Sequence, residues 1–157
     1  LALVHRVLYE NNSYAKIALD NYLSSGVGLF AADMRRMKVT LELDTDSVFV
    51  DLDHAIPFGL VVNELINNVL RHAFVSDDYK NGTSNAQLQV TLTKQDNRVT
   101  LQVIDNGVGL PADFADKEQR TLGMAVISSL SEQLAGTFSI CNREDSQGTQ
   151  ATLTFTC

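Results

Sequence analysis

The sequence predicts a two-layer α/β sandwich, with one mixed, largely antiparallel sheet and helices on a single face. Three observations predict it. Segments of strict apolar/polar alternation come as hairpins, amphipathic segments of helical period interrupt them, and no strand–helix–strand rhythm repeats. The chain of 157 residues suffices for one domain with a sizeable core and is short for two. Its 45% hydrophobic and 20% charged residues are those of an ordinary globular protein. A formal net charge of -7 argues against nucleic-acid and anionic-membrane surfaces. An anionic ligand would then need a metal ion and local cations. No apolar run in this sequence reaches transmembrane length, and no signal peptide is expected. The chain begins at Leu1, so a piece of a longer, cytoplasmic protein is expected, whose parent can be membrane-associated. Cys141 and Cys157 do not make a disulfide framework, and the histidines lack metal-ligand spacing.

Taken in order, Leu1 to about Glu10 reads as a helix broken by Asn11-Asn12-Ser13. A second helical segment runs from about Tyr14 towards Met34. Ile17, Leu19, Tyr22 and Leu23 are its expected buried positions, and Gly26 and Gly28 weaken it. Val39, Leu41 and Leu43 alternate with polar residues as in a half-buried strand. Asp44 to Ser47 is a turn, Val48 to Val50 a short strand, and Asp53 the expected N-cap of the next helix, with Pro57 near its first turn. After Phe74 comes a polar loop. Ala86, Leu88, Val90 and Leu92, then Val99, Leu101 and Val103, form a hairpin with one buried face, turning at residues 94–97. Residues 110–120 have no apolar period and read as a mobile loop. Met124, Ile127, Leu130 and Leu134 mark another amphipathic helix, with Gly136 expected as its C′ residue. Phe138 with Ile140, and Ala151, Leu153 and Phe155, give two final strands.

The central helix carries the chemistry. Wound at about 100° per residue, it places Phe58, Val62, Leu65, Ile66, Val69 and Ala73 on one stripe facing the core. Glu64, Asn67, Asn68 and Arg71 fall on the opposite side, with His72 at its edge. A polar helix face is often merely solvated. Here, however, Asn63, Asn67 and Asn68 crowd around one glutamate, and asparagine is a mediocre helix former. A carboxylate, an amide four residues on and a cation three further suit a hydrated Mg²⁺ and a phosphate chain.

Asp105-Asn106-Gly107 ends a strand and is followed by Gly109, so the backbone there can approach a ligand closely. An Asp at that place can accept from an exocyclic amino group. With these residues in view, Glu64-x-x-x-Asn68 resembles the N box, Asp105-x-Gly107-x-Gly109 the G1 box and Leu122-Gly123-Met124 the G2 box of the GHKL (Bergerat) ATP-binding fold. Gly148-Thr149 resembles that fold's last glycine-threonine motif. The fold is shared by histidine kinases, gyrase-type ATPases, Hsp90 and MutL. The resemblance spans Asp53 to Phe155. Residues 63–74, 121–136 and 1–9 are more closely similar to sensor histidine kinases of the HisKA_2/HWE-like branch.

The resemblance implies a division into a helical segment at 1–34, ending a dimerisation and phosphoacceptor region, and an ATP-binding catalytic domain at 35–157. It implies that Asn68 binds Mg²⁺ bridging the ATP phosphates, and that Glu64 holds water around the metal or acts in proton transfer. Arg71 and His72 would approach the phosphates, with Arg71 standing where lysine is common. Asp105 would accept from the adenine amino group, supported by Thr149 through water. Gly107, Gly109 and Gly123 would let the loop close over the nucleotide, with the N-terminus of the Met124 helix near phosphate. The 110–120 loop is short for the family, and Phe114 is a faint counterpart of its F box. The implied activity is transfer of the ATP γ-phosphate to a histidine of the dimerisation domain of a homodimeric parent, then to a response regulator. His5-Arg6-Val7 superficially resembles an H box, but its flanks match the second helix of the dimerisation hairpin, which puts the acceptor before Leu1. The alternatives are a non-catalytic ATP-sensing module and a GHKL ATPase or anti-sigma-type serine kinase.

Overall fold

The structure is a computed structural model that describes residues 16–82, 84–114 and 122–157. The readings made on residues 1–15, His5 and the expected helix start at Tyr14 included, and on residues 115–121 lie outside the described residues. The described chain runs β1 (Ile17–Ala18), α1 (Leu19–Gly28), α2 (Ala31–Met37), β2 (Val39–Thr45), β3 (Phe49–Val50) and α3 (Leu52–His72). It continues with α4 (Asp77–Lys80), β4 (Ala86–Gln95), β5 (Arg98–Asp105), α5 (Leu122–Gln133), β6 (Thr137–Asn142) and β7 (Thr149–Thr156).

A five-stranded sheet has the order β2-β4-β5-β7-β6, and β1 pairs with β3 in a separate two-stranded ribbon. In the large sheet β2 and β4 are parallel and every other neighbouring pair is antiparallel. The mixed, largely antiparallel sheet is as expected. One strand–helix–strand unit nevertheless exists, because α3 carries the chain from β2 over the sheet to its parallel neighbour β4. Two-residue turns cannot join parallel strands, so the connection is a long crossover, here a helical one.

The alternation of the strands decides which face is covered. Leu88, Val90 and Leu92 of β4, Val99, Leu101 and Val103 of β5, and Leu153 and Phe155 of β7 point to the helices and are buried. Their neighbours Gln87, Gln89, Thr91, Thr100, Gln102 and Thr152 point the other way. α3 supplies the opposing wall with Phe58, Val62, Leu65, Ile66, Val69 and Ala73, all buried as its stripe predicts. Leu19, Leu23 and Val27 of α1 join the same core, while Ile17 and Tyr22 are half-buried.

Several local expectations are corrected. Within the stretch read as one helix from Tyr14 to Met34, Ile17–Ala18 is an extended pair and the helix that follows divides at Leu29-Phe30, just beyond Gly26 and Gly28. β2 runs on to Thr45, past the start of the expected turn. The hairpin turn is confined to Asp96-Asn97, with Gln95 facing Arg98. The N-cap of α3 is Asp51, not Asp53; its Oδ1 accepts the His54 backbone N–H at 3.0 Å. That start brings Ala55 into the buried stripe and leaves Asp53 in the first turn, where a carboxylate suits the helix dipole. Pro57 lies in the second turn and is buried. The left-handed C′ residue of α5 is Ala135, with φ 51°, rather than Gly136. Gly136 N–H reaches back to Ser131 O and Ala135 N–H to Glu132 O, both at 2.9 Å, which is a Schellman closure. Gly136 is small for another reason: a Cβ there would lie 2.4 Å from Thr154 O of β7.

Candidate functional site

Two groups of residues converge where α3 ends, β5 ends and α5 begins. The first is built on the polar face of α3. Glu64, Asn67 and Asn68 are half-buried, and Arg71 and His72, one turn later, are exposed. α5 packs across α3 with Gly123 over this face. A Cβ at Gly123 would stand 3.3 Å from Glu64 Oε2 and 3.7 Å from both Nδ2 and Oδ1 of Asn68. The missing side chain therefore lets the α5 backbone lie directly over a carboxylate and an amide. Met124, next in line, turns its side chain into the core.

The second group surrounds Asp105, the last residue of β5. β5 alternates, and Asp105 falls on the inward, apolar phase, so its carboxylate is buried at 3% exposure. Oδ1 accepts from Gly107 N–H at 2.8 Å and from Thr149 N–H at 3.3 Å. Thr149 thus supports Asp105 directly through its backbone. Burial pushes the Asp105 carboxyl above the ordinary aspartate value, against the opposing pull of the two amides and of Arg143. The Arg143 guanidinium also donates to Asp105 O at 3.4 Å.

Glycine at 107 and 148 is a steric necessity. A Cβ at Gly107 would sit 2.3 Å from Ala73 O, and Val108 N–H donates to that same carbonyl at 2.8 Å. The turn after Asp105 is thereby docked on the end of α3. At Gly148 φ is 127° and a Cβ would lie 1.9 Å from Asp105 O. Gly109, also at positive φ, abuts Asn142, whose Oδ1 accepts from Leu110 N–H at 2.7 Å. Phe114 is half-buried and packs against the core.

The structure therefore brings Glu64, Asn68 and Gly123 together at one end, and Asp105, Gly107 and Thr149 at the other. Arg71 and His72 lie on the last turn of α3 and are exposed. Asn142, Arg143, Asn106 and Tyr79 were not singled out from sequence. Asn106 lies inside a tripeptide that reads as a generic turn, and the other three carry no spacing signal. Among the described residues no three His, Cys, Asp or Glu side chains cluster as a metal centre. Both cysteines are free and exposed. No helix among the described residues is long and apolar enough to cross a membrane.

Comparison with known proteins identifies the family. Residues 53–157 match the family profile described as histidine kinase-, DNA gyrase B- and HSP90-like ATPase. The chain is 27% identical over 107 residues to the sensor protein LytS of Staphylococcus epidermidis, covering 62% of this chain and 17% of that protein. It is 26% identical over 94 residues to a putative sensor histidine kinase, NtrY-like, of Rickettsia felis, covering 54% and 15%. The chain thus spans about a sixth of the length of these curated relatives. The histidine kinase domain of the blue-light-activated kinase of Erythrobacter litoralis EL346 superposes with a TM-score of 0.75 at 22% identity, covering 89% of this chain and 61% of that one. The catalytic domain of histidine kinase ThkA, in a nucleotide-free form, gives 0.74 at 19% identity, covering 90% and 95%.

Proposed function

Because the chain belongs to the family of histidine kinase-, DNA gyrase B- and HSP90-like ATPases, we propose that it is the ATP-binding catalytic domain of a sensor histidine kinase. The observation that carries the reading is that both groups lie along α3: the turn after Asp105 docks on Ala73, and Gly123 lies over Glu64 and Asn68. A buried aspartate awaits a base amino group, and a Glu–Asn pair roofed by a glycine awaits phosphates and metal.

In this reading Asp105 accepts from the adenine 6-amino group. Asn68 is the residue that would hold Mg²⁺. The donor set fits: Asn68 offers one side-chain oxygen, and with no cluster of three metal-ligating side chains among the described residues a metal here would take its remaining ligands from phosphate and water, as Mg²⁺ does. When bound, the ion supplies charge neutralisation across the phosphates. Glu64 accepts a hydrogen bond on the reacting side, from water or from the acceptor imidazole N–H. Arg71 and His72, at the exposed end of α3, face the outer phosphates. The bond that breaks joins the γ-phosphorus to the β–γ bridging oxygen, and ADP leaves with its electron pair. The bond that forms is to an imidazole nitrogen of the acceptor. Positioning and charge stabilisation carry such a transfer.

The acceptor histidine belongs, on this proposal, to the dimerisation domain of a homodimeric parent, of which residues 1–34 form the end and 35–157 the catalytic part. A response regulator then takes the phosphoryl group. The residues at 63–74 favour the HisKA_2/HWE-like branch. The test is transfer of label from γ-labelled ATP in the parent protein. Acid-labile, base-stable label on a histidine is expected. Release of inorganic phosphate without labelled protein would favour an ATPase, and nucleotide binding with neither would favour an ATP-sensing module.

A further inference from the structure

The segment between α3 and β4 is bound to the Asp105 turn by a set of hydrogen bonds that converge on Asn106. The β4–β5 ladder ends at the pair Leu88–Asp105. Asn106 extends it with its side chain: Oδ1 accepts from Gln87 N–H at 2.8 Å, and Nδ2 donates to Asn85 O at 2.7 Å. The carboxamide thus stands in for the next strand peptide, while the main chain is free to turn away at Gly107. Its own N–H still donates to Gln87 O at 3.3 Å. The remaining polar group, the Asn106 carbonyl, accepts from the Tyr79 hydroxyl. Tyr79 lies on α4 with its ring edge-on to buried Phe74, centroids 5.3 Å apart.

The Asn106 carbonyl and the Gly107 N–H belong to one planar peptide unit. Tyr79 holds the oxygen of that unit, and Asp105 Oδ1 accepts from its nitrogen at 2.8 Å. Rotating the plane at one end rotates it at the other. A hydroxyl donating to the carbonyl also polarises the amide and strengthens its donation onward. We propose that Tyr79 and Asn106 are positioning residues that aim the Asp105 carboxylate, and so set the preference of the site for a 6-amino over a 6-oxo purine. The proposal rests on the reading of Asp105 as the adenine acceptor.

The test titrates the protein with ATP and with inosine triphosphate, which carries a carbonyl where adenine has its amino group. Tyr79→Phe removes the hydroxyl and keeps the ring on Phe74. Loss of a neutral hydrogen bond corresponds to roughly a three- to tenfold change in affinity. That loss is expected for ATP alone, with inosine triphosphate binding unchanged, so the preference ratio falls. Asn106→Asp keeps the acceptor for Gln87 N–H but places an oxygen against Asn85 O, and should lower the same ratio. Equal losses for both nucleotides would make the clasp merely structural and overturn the proposal. A wild-type protein that prefers ATP, with the preference intact in Tyr79→Phe, would overturn it while leaving Asp105 its role. A wild-type protein that binds both nucleotides alike would overturn the adenine reading and the clasp together.

Discussion

Asp105 is a costly residue for the fold. It occupies an apolar phase of β5, and its carboxyl is held above the ordinary aspartate value of 3.8 chiefly by burial. A raised carboxylate favours the folded state increasingly as pH falls towards 3.8, so the charge is a burden at neutral pH. Asp105→Asn removes the burden and keeps an oxygen for the Gly107 and Thr149 amides. Its melting temperature at pH 7 should equal or exceed that of the wild type, with the gap closing in acid. The same change replaces a charged acceptor, whose hydrogen bond is worth on the order of 1.5–3 kcal/mol. Calorimetry should therefore show ATP and ADP binding at least about tenfold weaker. In the wild type, ATP affinity should fall on acidification at a pH above the ordinary aspartate value of 3.8. Unchanged nucleotide affinity in Asp105→Asn would remove the adenine role from this residue.

At the scale of elements, the two helices that frame the site are closed by different devices. α3 begins at Asp51, whose Oδ1 takes the His54 backbone N–H at 3.0 Å and lies 2.6 Å from His54 Nδ1. The bond to the His54 ring is the main reason its carboxyl lies below the ordinary 3.8. Stability from a lowered carboxylate is present above the unfolded value and vanishes as pH falls through the lower folded one. Asp51→Ala should therefore cost about 1 kcal/mol at pH 7 by urea unfolding, typical of a lost N-cap, and progressively less below pH 3.8. A pH-independent difference would mean that the cap does not act through its charge. α5 ends on Ala135 at φ 51°, a conformation that favours glycine. Ala135→Gly should stabilise the protein by about 0.5–1 kcal/mol without altering ATP affinity. A destabilised Ala135→Gly variant would show that no strain is stored there.

For the whole molecule, the sequence made the core legible wherever one apolar stripe met one layer. The 3.6 period of α3 and the alternation of β4, β5 and β7 named the buried residues because each faces a single environment. What it hid were choices between equivalent neighbours. Asp51 and Asp53 can both cap a helix, and Ala135 and Gly136 can both follow one; only the packing of Ala55 against the core and of Gly136 against Thr154 selects between them. The parallel pairing of β2 with β4 was hidden too, since alternation fixes a strand's face and not its direction. Of the site, the residues with motif spacing were visible, whereas Tyr79 and Asn142 act through contacts 27 and 32 residues distant in sequence. The central claim is that one nucleotide spans both groups, its base at Asp105 and its phosphates at Asn68. The most direct test is calorimetric titration of wild type, Asp105→Asn and Asn68→Ala with Mg·ATP, metal-free ATP and adenosine. Asn68→Ala should lose the increment in affinity that Mg²⁺ gives and bind adenosine as the wild type does, while Asp105→Asn should lose adenosine and ATP binding alike. Equal losses across all three titrants in Asn68→Ala would contradict the account, because Asn68 would then support the fold rather than the metal-bound phosphates.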